Sequence, residues 1–569
     1  MSKARNDGAT PPQSTRWDLV APPLIMVAPA VSFAAYHEYS YLAVEWLAGA
    51  LLLAVMGLLA GLLLVAAKGF RLLRAAVLSA PLVLFVDLQF PDLLQTGSLV
   101  QSALFYAGAF IAFLVLAALV HQHATQIATV IFAAILGGTL LFPPPTAPPQ
   151  LGTIAVEKNT NRELPPIIHI VLDEFIGLEG IPTDIKGGRE LKNDLKSFFQ
   201  ENGFHVYGKA FSRFFQTFES MAHALNPDRV LENNLIKYSN NEWIKYDLDR
   251  SNYLSEFTKK GYYIDIYQFD YLNYCNSIIL RLATCNTVRA EIADRVENLS
   301  VPWTGKFRVL VSLYFSQSLV WRGIRKAYRT ASATLTLPVW DWERTSISNL
   351  AADKTLDLLK RDLRKATGGE YYFAHVLAPH TPHIFNRDCM IDEPTEWTEF
   401  RIAEGVSKSA NTPASRRHRY RRYFEQVRCL QKQLGELFAI IRENPNLADA
   451  IVILHGDHGS RITLTEPRSE DRKRLVPSDL VDGYSTLFAI RSPGLRRGYD
   501  LRLAPLQGLF RYFMVNGFSK VPDTNDDLGE AFVFLRWWRQ SYAERVMPMV
   551  QFGEPATGKP LPSATFRSR

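Results

Sequence analysis

Residues 455–459 read His455-Gly456-Asp457-His458-Gly459 and follow an apolar run at 450–454 that predicts a buried strand. An adjacent carboxylate and imidazole are both ligands for a divalent cation. A glycine on either side lets the backbone turn sharply, so that both side chains face one point. Three other clusters carry related chemistry. Asp173 and Glu174 end the apolar run 167–172 and offer hard metal ligands. Thr217 and Ser220 place two hydroxyls three residues apart, on one face if a helix begins there. A metal-bound hydroxyl is partly deprotonated and becomes a nucleophile; a plain helix N-cap is the alternative use. His375, His380 and His383 cluster around Pro379 and Pro382. Histidine holds an anionic phosphate or protonates a leaving group. His375, inside a predicted strand, reads as the structural member of the three. Arg461 follows the first motif closely, as a partner for a phosphate or sulfate oxygen or as a surface arginine.

These clusters need a frame. Apolar, β-rich runs at 167–172, 262–267, 371–377, 450–454 and 484–490 alternate with helical patterns. That predicts a mostly parallel sheet sandwiched by helices, with the site outside the carboxyl ends of the strands. The basic stretch 416–423 reads as a solvated helix face or as a surface for anionic head groups or an acidic glycan.

The chain has 569 residues, 47% of them hydrophobic, with mean hydropathy -0.04. The apolar excess lies before about residue 145, and five segments (20–36, 42–67, 75–90, 99–120 and 127–142) read as membrane spans. Lys3, Arg5 and Arg16 precede the first, and Lys68, Arg71 and Arg74 separate the second from the third. The loops 37–41 and 91–98 carry no Lys or Arg. The positive-inside rule therefore puts the N-terminus in the cytoplasm and a large C-terminal domain outside, in the periplasm or at the cell exterior. Glu45 and Asp87 fall near predicted outer ends, where a structural role suffices. The expected organisation is a five-helix transmembrane domain (1–142), a proline-rich linker (143–165), an extracytoplasmic domain (166–548) and a poorly ordered tail (549–569). The net charge of +7 and pI ≈ 9.0 fit basic inner loops and an anionic substrate. No zinc-finger spacing or RNA-binding signature points to nucleic acid. The four cysteines all lie in the outer domain, and local pairing, Cys275 with Cys285 and Cys389 with Cys429, is favoured among three connectivities.

Taken in order, the clusters resemble the alkaline phosphatase/sulfatase superfamily. The likeness is strongest to its membrane-anchored branch of lipoteichoic acid synthases, phosphoethanolamine transferases and phosphoglycerol transferases. The resemblance implies an alkaline phosphatase-like domain outside five spans at the inner (cytoplasmic) membrane. It makes Asp173 the first metal ligand, with Glu174 beside it as a second candidate. Thr217 matches the nucleophile that also binds metal, and Ser220 the hydroxyl three residues on. Asp457 and His458 match the paired ligands. His380 matches a histidine on the substrate phosphate, and His383 is a weaker candidate. The implied cofactor is a divalent metal: Mn, Mg, Zn or Ca. The implied reaction moves a phospholipid-derived head group, phosphoglycerol or phosphoethanolamine, to a glycan or lipid acceptor through a phospho-threonine. The Asp-Glu pair departs from the single glutamate usual in the transferases and is nearer to sulfatases. No Cys/Ser-x-Pro-x-Arg motif stands where a sulfatase nucleophile would. The alternatives are a hydrolase on the same fold, phosphodiesterase or sulfate-ester hydrolase, and a non-catalytic envelope binding or assembly protein.

Overall fold

The computed structural model describes residues 15–37, 39–89, 99–142, 163–228, 235–240, 244–275, 282–290, 294–297, 299–316, 318, 320–321, 327–328, 331, 347–393, 396–397, 412–535, 544–546 and 566–567. The proline-rich run 143–149 and most of the tail after Met549 lie outside these. The chain divides into two compact units: Met1–Ala147 with Ile292–Thr345, and Pro148–Glu291 with Ser346–Arg569. This differs from the contiguous outer domain expected over 166–548. The chain leaves the second unit after Glu291, contributes to the first, and returns at Ser346.

The first unit contains helices α1 (Thr15–Tyr36), α2 (Val44–Ala66), α3 (Arg71–Gln89), α4 (Leu99–Leu119) and α5 (Ala124–Leu141). These match the five predicted spans in place. Of them α1, α2 and α5 are long and apolar enough to cross a membrane. Helix α1 holds Pro22, Pro23 and Pro29 yet stays helical, because α2 packs closely against it. Gly57 and Gly61, spaced as small-x-x-x-small, make this approach: a Cβ on Gly57 would lie 2.5 Å from Pro23 Cα, and one on Gly61 2.7 Å from Asp18 O. The opposite side of α2 shows Leu51, Leu52, Val55, Leu59, Leu62 and Leu63.

Polar contacts gather at the two ends of this bundle. At one end, Arg74 forms a bidentate pair with Asp18 (2.9 Å each) and donates to Leu64 O, while Thr125 donates to Asp18. At the other, Tyr39 donates to Glu45 (2.6 Å), and Asp87 accepts from Tyr106 (2.7 Å), Ser318 and Val320 N (3.2 Å). Glu45 and Asp87 are thus engaged structurally.

In the second unit, eight strands form one sheet: β1 (Ile167–Leu172), β2 (His205–Phe211), β3 (Tyr263–Phe269), β4 (Leu282–Val288), β5 (Glu370–Val376), β6 (Ile451–Gly456), β7 (Phe488–Arg491) and β8 (Gly498–Pro505). Their order is β8-β2-β7-β6-β1-β5-β3-β4, parallel except for β7, which runs antiparallel to both β2 and β6. The expected strand at 484–490 starts later: Tyr484 ends the helix Pro477–Tyr484. Strand periodicity divides the core. Ile168, Ile170 and Leu172 of β1 face a cluster with Leu191, Leu195 and Phe199 of the helix Gly188–Glu201 and Tyr420, Val427 and Leu434 of α8 (Pro413–Glu443). Ile167 and Val171 face the other side, with α6 (Thr217–Ala224) and the helices Asn252–Lys259 and Leu506–Asn516. The result is the expected helix-sheet-helix sandwich with a central strand buried on both faces. Both disulfides form as expected, Cys275–Cys285 and Cys389–Cys429.

Candidate metal and phosphoryl site

The carboxyl ends of β1, β5 and β6 are adjacent, so the residues that end these strands meet. Asp173 follows β1, His375 is the penultimate residue of β5, and Asp457 follows β6. One ligand atom of each lies within 4.8 Å of the others, and all three residues are buried. Among the described residues, Asp173 Oδ1, His375 Nε2 and Asp457 Oδ2 make no well-directed hydrogen bond, although His458 Nε2 lies close to the last of them. Three orphaned buried donor atoms of this kind, two of them anionic, are costly without a cation and well suited to one. The residues therefore fit the divalent metal that the sequence implied.

The structure corrects one expectation here. His375 is not a bystander: its Nε2 lies 3.5 Å from Asp173 Oδ2. Its Nδ1 meets the Tyr274 hydroxyl at 2.8 Å. With Nδ1–H donating to that oxygen, Nε2 keeps its lone pair for a cation. The sequence pointed away from His375 because a strand-interior histidine is normally a packing residue. It gave no sign of Tyr274, which comes from a loop after β3.

Asp457 joins this group to a second one. Its Oδ1 accepts from Glu174 N (3.0 Å) and His458 N (2.9 Å), and its Oδ2 is 3.0 Å from His458 Nε2. Burial opposes the charge on Asp457, but His458 and the Glu174 N–H outweigh it and hold the carboxyl well below its ordinary range. His458 Nδ1 donates to Gly459 O (2.9 Å), which turns Nε2 toward Thr217 Oγ1 at 3.1 Å. Thr217 is the first residue of α6 and is 4% exposed. Ser220 is otherwise occupied: its hydroxyl donates to Asp457 O and lies 2.7 Å from Ser212 Oγ. Of the two hydroxyls, Thr217 faces the ligand atoms and Ser220 braces the loop that carries Asp457.

Glu174 points elsewhere. Its Oε1 accepts from Arg461 Nε (2.6 Å) and its Oε2 from Thr381 N (3.1 Å). Arg461 also reaches His380 Nε2 (2.9 Å), so it is neither on the open surface nor free of a counter-charge. Glu174 (φ 64°) and Arg461 (φ 54°) both occupy the left-handed region, which ordinary side chains avoid. His380 keeps 24% of its side chain accessible. Asn349 and Gln426 hold the His380 carbonyl, and Gln426 also takes Pro379 O and Ile384 N. His383 is fully buried and edge-on to Tyr423, apart from the ligand group; burial, then Arg419, pushes its pKa well below the usual value.

The two glycines of the motif serve close approach rather than an unusual turn. Neither has positive φ. A Cβ on Gly456 would sit 2.3 Å from Thr486 Oγ1, and one on Gly459 2.3 Å from Asp482 O. The basic stretch on α8 is solvated only in part. Arg416 is buried against Asp482 (2.7 Å), Tyr420 also donates to Asp482, and Tyr423 bridges Glu174 O (2.8 Å) and Ile176 N (2.9 Å). This side of α8 supports the site loops, while Arg417 and Arg421 are exposed, as the solvated reading expected.

No family model and no curated protein matches the chain. Among solved structures, it is similar to a phosphonate monoester hydrolase of Agrobacterium radiobacter: 12% identity, TM-score 0.34, 61% of this chain and 73% of that one. It is also similar to a protein in the alkaline phosphatase superfamily from Vibrio parahaemolyticus: 13%, TM-score 0.34, 71% and 81%. The C-terminal periplasmic domain of EcEptC from Escherichia coli, in complex with Zn, gives 12%, TM-score 0.34, 64% and 85%. The reading of the site rests on its own residues and their geometry.

Proposed function

We propose that the chain is a membrane-anchored, metal-dependent phosphotransferase of the alkaline phosphatase/sulfatase type. On this reading it moves a phospholipid-derived head group to a glycan or lipid acceptor through a phosphorylated Thr217. One observation carries it: a buried threonine hydroxyl stands 3.1 Å from His458 Nε2, and His458 in turn touches Asp457 of the orphaned Asp173–His375–Asp457 group. Asp173, His375, Asp457, His458 and Thr217 would hold the metal. When bound, it supplies positive charge that lowers the proton affinity of the hydroxyl and spreads the charge of the phosphoryl oxygens.

The protein groups do the rest. Thr217 Oγ1 loses its proton as it bonds to phosphorus, and the bond from phosphorus to the diacylglycerol oxygen breaks. The leaving oxygen takes up a proton from solvent, and His380, the accessible histidine of the site, accepts from Arg461 through Nε2 and helps to aim that guanidinium. Arg461, fixed by Glu174, presents its guanidinium to the phosphoryl oxygens. An acceptor hydroxyl then bonds to phosphorus, and the Thr217 oxygen leaves and regains a proton. Anchoring is supported by α1, α2 and α5 and by the row of leucines on the outer side of α2, which water would leave unfavourably exposed. With the N-terminus cytoplasmic, the α/β domain works outside the inner membrane, where its disulfides persist.

The test uses the full-length protein with phosphatidylglycerol or phosphatidylethanolamine. Mass spectrometry of trapped Thr217 is expected to show a phosphoglycerol or phosphoethanolamine adduct, and Thr217→Ala to lose diacylglycerol release by roughly three or more orders of magnitude. Release that needs an acceptor glycan or lipid identifies transfer; release into water alone identifies hydrolysis. An unmodified Thr217 in an active protein would refute the covalent route.

A further inference from the structure

We propose that helix α7 (Trp303–Ser316), within the inserted segment 292–345, is a second membrane element, whose Trp303 end lies in the head-group layer of the outer leaflet and prefers anionic phospholipid. The inference rests on the membrane reading above and adds a site to it. Although this segment interrupts the α/β unit in sequence, it belongs to the unit of α1–α5. Its contacts there start at the outer ends of the helices and reach inward, for Tyr314 and Phe315 also line a cavity with Ile25, Met26 and Leu53. Phe307 reaches Gly49 near the start of α2, at 3.6 Å from a Cβ built there. Tyr314 meets Phe33 near the end of α1, edge to face at 5.2 Å. Ser318 and Val320 N bind Asp87 near the end of α3. The end of α1, the start of α2 and the end of α3 are the ends that the Lys/Arg distribution puts outside. The described part of the segment therefore meets the outer halves of three membrane helices, with the Trp303 end of α7 nearest the head groups and Tyr314 and Phe315 reaching inward.

Its composition suits that depth. Residues 292–345 hold four of the ten tryptophans of the chain. They hold eight Lys and Arg against four Asp and Glu, a net of +4 out of the chain's +7. Helix α7 buries Val309 and Leu310 and leaves Trp303 50% exposed. Lys306 and Arg308 lie half-buried on the same helix, and Lys306 donates to Glu297 O. Tryptophan and long cations at an apolar–polar boundary are the side chains that head groups favour, and their positive balance favours anionic lipid.

All four native cysteines are in disulfides, so one introduced thiol can be labelled alone. Full-length Thr304→Cys would carry a spin label in nanodiscs of phosphatidylcholine, with or without phosphatidylglycerol. Val55→Cys on the leucine-rich side of α2 and Lys237→Cys on an exposed strand of the α/β unit are the references. The ratio of oxygen to nickel-complex collisions is expected to place residue 304 between them. Phosphatidylglycerol should shift 304 toward the lipid value, and Lys306→Gln/Arg308→Gln should abolish that shift. If Val55 reads as lipid and residue 304 reads like Lys237, the proposal fails while the membrane reading stands. If Val55 also reads as water, the membrane reading fails first. An unchanged ratio on adding phosphatidylglycerol overturns the anionic preference.

Discussion

At the scale of single residues, the site depends on donor atoms whose orientation is set by their neighbours. Tyr274 shows this: its hydroxyl, 2.8 Å from His375 Nδ1, decides which imidazole nitrogen faces the carboxylates. Tyr274→Phe should weaken metal binding by about 10- to 100-fold, as loss of an orienting partner does, with the fold intact. Metal titration followed by calorimetry would check it, and an affinity equal to wild type would return His375 to a purely structural part. Asp173 and Asp457 were legible in the sequence because an acidic residue ending an apolar run is a local signal. The part of His375 was not, since nothing local separates a ligand from a packing histidine in a strand. Tyr274 and Gln426 reach the site from other elements, and only the fold brings them there.

Among the elements, the three central strands were easy to read because burial on both faces forces continuous apolar runs. Strands β2, β4 and β8 were missed for the complementary reason. β4 and β8 are the edges of the sheet and β2 is next to one, so their sequences mix Lys209, Asn286, Asp500 and Arg502 with apolar residues. The helix α8 was read by its charges, although Arg416 turns inward to Asp482 and its tyrosines brace the loops of the site. The glycine pattern of the Asp-His motif was legible, but its cause was not: tight approach to neighbouring backbone and side chains replaces the expected turn. Gly459→Ala should therefore destabilise by about 1–3 kcal/mol, the cost of overpacking, and disturb Asp457 and His458 with it. Thermal unfolding together with metal content would show both effects, and a variant of wild-type stability would contradict the close contact with Asp482 O. Between α1 and α2, Gly57→Leu should likewise separate the helices and lower the melting temperature in detergent.

For the molecule as a whole, buried charge and buried histidine set the conditions of stability. Asp18→Asn would leave Arg74 without its counter-charge inside the helix bundle. A loss of about 3–5 kcal/mol is expected, read as a lower unfolding midpoint in detergent, whereas an unchanged midpoint would mean that Leu64 O suffices for Arg74. In the α/β unit, burial and then His455 push the His169 pKa well below its usual value, and burial with Arg419 does the same to His383. Both are neutral when folded, while the unfolded chain takes up protons below about pH 6.5. Their contribution is complete above that pH and is lost as the pH falls. Melting temperature should drop between neutral and mildly acidic pH, and His169→Phe, though less stable at neutral pH, should lose less over the same interval. The Cys389–Cys429 bridge closes a separation of 40 residues, worth about 4 kcal/mol in a chain-entropy account, so reducing agent should lower the melting temperature of this unit.

The course of the chain between the two units also bears on how the α/β unit can be isolated. The backbone passes from one unit to the other at 147–148, 291–292 and 345–346. A fragment that simply starts beyond the prolines would keep 292–345 while losing the helices it packs on. Phe307 and Tyr314 would then have no partner from α1 or α2, leaving a sticky graft on an otherwise soluble body. Such a fragment is expected to aggregate. Its soluble counterpart requires a second cut, with a short polar bridge splicing the chain across the excised segment.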